Sequence, residues 1–130
     1  MIHLKKIIAL TGLTGLYELI HAKSDGYIVT PLGAKEPIFI SSRKHPCAQI
    51  ENIEVYTSEK NILLKDLFIA MKASTETLPN SNDIIAIKRY FKTVYPTLDF
   101  DRIYNNDFKK MIKWFLLIQQ NNIELAEPTE

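Results

Sequence analysis

A single cysteine, Cys47, in 130 residues excludes an intramolecular disulfide, so cross-links cannot hold this chain together. Histidine is scarce too. Of His3, His21 and His45, only His45 lies near the thiol, and His45-Pro46-Cys47 offers one ligand pair where a structural zinc site needs four. The four glycines all fall within the first 33 residues and build no Gly-rich phosphate loop. Gly-x-Ser-x-Gly and His-Glu-x-x-His are likewise missing. No catalytic residue, metal or cofactor is therefore expected. Neither sign of charge dominates: 16 basic and 15 acidic residues leave a net charge of +1, with no global pull towards nucleic acid or membrane. The densest apolar run, Trp114 to Ile118, is far below the ~20 residues a membrane span needs.

The N-terminus superficially resembles a secretory leader, with Lys5 and Lys6 ahead of Ile7 to Leu13. Thr11, Gly12, Thr14 and Gly15 interrupt the apolar stretch, and Glu18 arrives before any small-residue cleavage site. A folded N-terminus is expected, in a cytoplasmic protein whose lone thiol suits a reducing compartment.

What is present is a change of rhythm. His3 to Leu10 reads as one or two helical turns, with Leu4, Ile7 and Ile8 on one face. Period-two runs follow: Leu16 to Ala22, Tyr27 to Thr30, Pro37 to Ser41 and Ile50 to Tyr56. Asp25-Gly26 marks a tight hairpin turn, and Ser42 to Gln49 reads as a loop. Four short strands in so few residues point to a small SH3-like β-barrel or a curled antiparallel sheet. Its expected core is Leu16, Leu19, Ile28, Phe39, Ile40, Ile53 and Val55. So small a unit needs a lid, and Ile62 to Lys72 carries Leu63, Leu64, Leu67, Phe68 and Met71 on one helical face.

Beyond Asn82 the apolar spacing is helical. Ser81 or Asn82 is expected to cap a helix from near Asp83, with Ile84, Ile87, Tyr90, Phe91 and Val94 as its stripe and Pro96 as its stop. Asn105 or Asn106 is expected to cap a last helix over 107–120, buried through Phe108, Met111, Ile112, Phe115 and Ile118. Trp114 and Leu117 extend that apolar surface to one side. The expected class is α+β, with a barrel-like unit and covering helix over 1–72, a polar linker over 73–82, a helical pair over 83–122 and an acidic tail over 123–130.

Three constellations bear on chemistry. Tyr17, Tyr27 and Tyr56 lie on the expected strands, where small barrels hold extended partners, and are the candidate partner-binding residues. Lys88, Arg89 and Lys92 on one helix, and Lys109, Lys110 and Lys113 on the other, lie opposite the apolar stripes and could meet a phosphate backbone. The ordinary role of such residues is to solvate amphipathic helices. His45 and Cys47 could be imagined as a thiol site, but a half-buried loop cysteine beside an exposed histidine is the simpler reading. In Asp99-Phe100-Asp101-Arg102, an aspartate is expected to cap a turn and Arg102 to pair with an acid.

The run of Gly12-x-x-Gly15-Leu16-Tyr17-Glu18-Leu19, Gly26-Tyr27-Ile28-Val29, Pro37-Ile38-Phe39, Ile53-Glu54-Val55-Tyr56-Thr57 and Leu64-Lys65-Asp66-Leu67-Phe68 resembles a domain family of unknown function widespread in Bacteroidota. Tyr90-Phe91, Pro96, Asp99, Asp101-Arg102-Ile103-Tyr104, Asp107, Lys109-Lys110 and Trp114 continue the likeness. The resemblance implies a cytoplasmic protein with a small barrel and appended helices, and supplies no catalytic residues. The expected function is a non-enzymatic interaction module that binds a protein partner or a second copy of itself. Weak nucleic-acid binding through the basic helical faces is the alternative.

Overall fold

The computed structural model describes residues 2–125. The chain is α+β, with seven strands and three helices in the described residues. Strands β1 (Ile7–Leu10), β2 (Tyr17–Ala22), β3 (Gly26–Pro31), β4 (Ile38–Ser41) and β5 (Cys47–Gln49) form one antiparallel sheet in the order β4-β3-β2-β1-β5. A hairpin of β6 (Glu54–Val55) and β7 (Ile62–Leu63) leads into α1 (Leu64–Ala73). Helices α2 (Ile84–Val94) and α3 (Asn105–Gln120) complete the fold.

The sheet is open, which corrects the barrel: β4 and β5 are its two edges and do not pair. The reason lies in two segments. Ile7-Ile8-Ala9-Leu10, expected to be helical, is a strand between β2 and β5. A continuous apolar run suits a strand covered on both faces: Ile7 joins the main core and Ile8 and Leu10 a second cluster on the opposite face. Only a short 3-10 turn, Leu4–Lys6, precedes it, capped by His3. The expected fourth strand over 50–56 breaks up, because Ile50, Ile53 and Val55 start at a spacing of three. Ile50–Asn52 is a 3-10 turn with Ile50 buried, and the expected loop before it supplies β5.

Of the residues assigned to a barrel interior, Leu16 and Val55 are buried, whereas Phe39 is 48% exposed on the edge strand β4. Gly26 is the first residue of β3 and has no positive φ, so it does not serve the turn as expected. It makes room instead. A Cβ there would collide with the Ile40 carbonyl and lie 2.6 Å from Phe39 Cζ. Gly26→Ala should therefore cost about 1–3 kcal/mol, because a neighbouring strand has to shift. Urea denaturation measures this, and an unchanged midpoint would show that β4 yields freely.

The second cluster has only Ile8, Leu10 and Val29 fully buried, with Leu13, Tyr17, Leu19, Tyr27, Ile40 and Cys47 packed around them. At roughly 1.5–3 kcal/mol per buried side chain, three residues cannot offset roughly 1–2 kcal/mol of backbone entropy for every ordered residue of the sheet. The main core supplies the difference. It runs without a break from Leu4, Ile7 and Leu16 through Val55, Leu67 and Phe68 to Phe91, Phe108, Phe115, Ile123 and Leu125. Phenyl rings tie the helices together: Phe68 lies 5.9 Å from Phe115, and Phe91 and Phe100 each lie 5.7 Å from Phe108. The segment 73–82 therefore does not divide two cores.

Helix ends differ slightly from expectation. Asp83 itself caps α2, its Oδ1 accepting from the Ala86 N–H at 3.0 Å. Helix α3 starts at Asn105, with Tyr104 as its N-cap and no side-chain capping bond. At its end, Asn122 takes φ 53, and the Asn122 and Ile123 N–H groups donate to the Gln119 and Ile118 carbonyls. This Schellman arrangement turns Ile123 into the core. The chain then runs beside its own start: the Leu4 N–H donates to the Glu124 carbonyl and the Glu124 N–H to the Ile2 carbonyl, both at 2.9 Å. Residues 123–125 are thus a structural clasp, and the rest of the expected acidic tail lies outside the described residues. No helix among the described residues is long and apolar enough to cross a membrane.

Candidate functional site

Two concave depressions lie side by side along α3, and Ile53, Lys110 and Trp114 line both. The first, of about 440 Å³, is formed by the chain around β6, the connection between α2 and α3, and the first turns of α3. Its rim carries Tyr56, Arg102 and Tyr104; Glu54, Asp107 and Lys110 add charge, and Met111 and Trp114 apolar surface. The second, of about 620 Å³, lies between α3, the cross-strand pair Ala9 and Ala48, and the loop Thr11 to Gly15.

The first depression has a defined build. Thr57 bridges to Leu98, and the Asp99 N–H donates to the Tyr56 carbonyl at 3.0 Å, so the segment after β6 is tied to the α2–α3 connection. Asp99 Oδ1 accepts from the N–H groups of Asp101 and Arg102, at 3.1 and 3.0 Å, which closes the turn as the sequence suggested. That turn carries the Arg102 guanidinium to 4.0 Å from the centre of the Tyr56 ring. Arg102 therefore stacks on an aromatic face, where the sequence suggested pairing with an acid; such a contact contributes about 0.5–1 kcal/mol at an exposed site. Tyr104, at the mouth of α3, is 77% exposed.

The second depression exists because its floor is small. Ala9 and Ala48 sit opposite one another on β1 and β5, and the larger apolar residues Trp114 and Leu117 come from the helix above. Gly12 and Gly15 take φ 86 and 81 in the loop that closes one end, a backbone region that costs glycine little. Lys110 and Lys113 stand at the helix side. They are one turn apart and share a face.

The three tyrosines chosen from the sequence are not brought together. Tyr17 and Tyr27 are half-buried against the second cluster, with the Tyr17 hydroxyl donating to the Thr14 carbonyl at 3.1 Å. Tyr56 alone reaches the groove. The six basic residues are also divided. Lys110 and Lys113 line the groove, Lys109 does not, and on α2 the Lys92 ammonium sits 5.6 Å from the Phe100 ring centre. Lys88 and Arg89 lie outside both depressions. Sequence reasoning missed Arg102, Tyr104 and Trp114 as site residues. The available signal was an apolar α3 surface wider than one core-facing stripe needs.

His45 and Cys47 do not form a thiol–imidazole site. His45 Nδ1 lies 2.9 Å from the Thr11 carbonyl, and Cys47 packs into the second cluster. Burial pushes the Cys47 thiol above its ordinary pKa, which lowers the thiolate fraction at any given pH. Alkylation by iodoacetamide should be slower than for a free cysteine at pH 8 and should still be rising above pH ~8.5, the ordinary cysteine pKa. A rate that levels off below pH 8 would show an activated thiol.

Among known proteins, residues 53–118 match the sequence profile of a domain of unknown function, DUF6852. The whole first depression lies within that stretch, from Ile53 to Trp114. A solution NMR structure of a structural-genomics target from Bacteroides vulgatus has a similar fold, with a TM-score of 0.73 and 27% identity over 95% of this chain and 89% of that one. No curated protein matches. With just over half of its length matched by that profile, the chain belongs to the DUF6852 family of unknown function.

Proposed function

We propose that this protein is a non-enzymatic interaction module, working in the cytoplasm, that binds a segment of a partner protein in the groove along α3. The observation that carries the reading is the convergence of Tyr56, Arg102, Tyr104 and Trp114 on one concavity. Tryptophan, tyrosine and arginine dominate the energetics of protein interfaces, because each combines a large apolar face with a polar end. Tyr104 is exposed, and a tyrosine has only two side-chain torsions to fix, so ordering it against a partner costs little entropy. The raised thiol pKa of Cys47 and the engaged ring of His45 favour a binding role over thiol catalysis.

The test is a random-peptide display selection against the folded chain, followed by ¹H–¹⁵N shift mapping of the selected peptides. Shifts should centre on Tyr56, Tyr104 and Trp114. Failure to select any binder, or shifts centred on the exposed face of β4, would reject the groove as the binding surface. Light scattering on a size-exclusion column separates a second copy from a foreign partner.

A second reading, single-stranded nucleic acid, draws support from the same juxtaposition of rings and cations. Glu54 and Asp107 in the first depression oppose it, because they repel phosphates. It requires an affinity that falls steeply with salt and is abolished when the groove cations Arg102, Lys110 and Lys113 are reversed to Glu.

A further inference from the structure

We infer that the partner segment is acidic at one end: an aliphatic stretch whose side chains enter the second depression while its carboxylate meets Lys110 and Lys113. This rests on the peptide-binding reading above and adds the chemistry of the ligand. The two depressions differ in charge. In the first, Glu54 and Asp107 face Arg102 and Lys110; in the second, Lys110 and Lys113 stand with no acid in the lining. Neither of these lysines has an ion-pair partner among the described residues. Residues three apart on a helix have their Cβ atoms about 5–6 Å apart, so a single carboxylate can reach both ammonium groups. One wall beside them is apolar, formed by Trp114 and Leu117, and a charge pair against such a wall is screened less than on open surface. The floor of Ala9 and Ala48 leaves the space that aliphatic side chains would fill. The groove thus has a direction: aromatic and charge-balanced at Tyr104, aliphatic and cationic at Lys113.

Trp114 is the only tryptophan and lines both depressions, so its emission reports occupancy of either. Display-selected ten-residue peptides are resynthesised with their acidic positions as Glu, Gln or Lys and titrated into the full chain. At low salt the Glu form should bind about tenfold more tightly than the Gln form. The Lys110→Glu, Lys113→Glu double variant should reverse the order and favour the Lys form. Both lysines are exposed, so the variant should keep its circular dichroism spectrum and melting temperature. Equal affinities for the three forms, with Trp114 still responding, would overturn the charge assignment and leave the groove reading intact. No Trp114 response to any peptide would overturn both. Two further results would also overturn the inference: decanoate binding that depends on the lysines and excludes every peptide, which marks a small-amphiphile site, and a Trp114 change that grows with protein concentration alone, which marks a second copy as the occupant.

Discussion

Phe115→Ala is expected to lower unfolding free energy by about 3–5 kcal/mol, the usual cost of removing a buried phenyl ring. Phe115 lies on α3 and is almost fully buried, with its ring 5.9 Å from that of Phe68 on α1. The second expected result is that sheet and helices unfold together in the variant, as in the parent. The core runs from Ile7 on β1 to Phe108 and Phe115 on α3 without interruption, so no subset of strands keeps a sufficient core once α3 is lost. A stability of about 5–15 kcal/mol is typical of a whole domain, so this one substitution removes a large part of it. Far-ultraviolet circular dichroism and Trp114 fluorescence should give coincident urea transitions. Two separated transitions would mean that the segment over 73–82 divides independent units after all.

Tyr104→Ala is expected to weaken binding of a groove-directed peptide at least about 30-fold, equivalent to about 2 kcal/mol, with the melting temperature unchanged. The separation follows from position. Tyr104 is 77% exposed and makes no side-chain capping bond to α3, so the fold does not depend on its ring. A partner covering the first depression would bury that ring beside Tyr56 and Arg102. Isothermal titration with a selected peptide and a thermal melt of the same sample measure both quantities. Equal affinity for parent and variant would remove Tyr104 from the interface, and a fall in melting temperature would assign it a structural role. Phe39→Ala is the matching control, since Phe39 is 48% exposed on a different edge of the molecule.

The helical half was the easier part to read. Ile84, Ile87, Tyr90, Phe91 and Val94 recur at helical spacing, and the core-facing side of α2 is that stripe. Likewise Phe108, Met111, Ile112, Phe115 and Ile118 are the buried residues of α3. The strand half was read correctly for β2, β3 and β4, where alternation and turn residues coincide. It failed at Ile7–Leu10, because a short apolar run preceded by two lysines fits one helical turn as well as a doubly covered strand. It failed again at Ile50 to Val55, where a tertiary demand on Ile50 broke the period-two pattern. The site was less legible than the fold. Tyr17, Tyr27 and Tyr56 look equivalent along the chain, yet two of them pack into a minor core and one borders a groove.

The amino-acid order alone settled the α+β class, the amphipathic faces of the helices, the positions of β2, β3 and β4 and the lack of an internal disulfide. Each of these follows from local spacing or from composition, which a neighbour elsewhere in the chain does not alter. Tertiary structure decided that the sheet stays open, that residues 123–125 close against the N-terminus, and that a groove exists at all. Those outcomes depend on pairs distant in sequence, such as Ala9 with Ala48 and Arg102 with Tyr56. An alanine is only a small side chain until another lies across from it beneath a tryptophan, and an arginine is only a charge until a turn sets it over a ring.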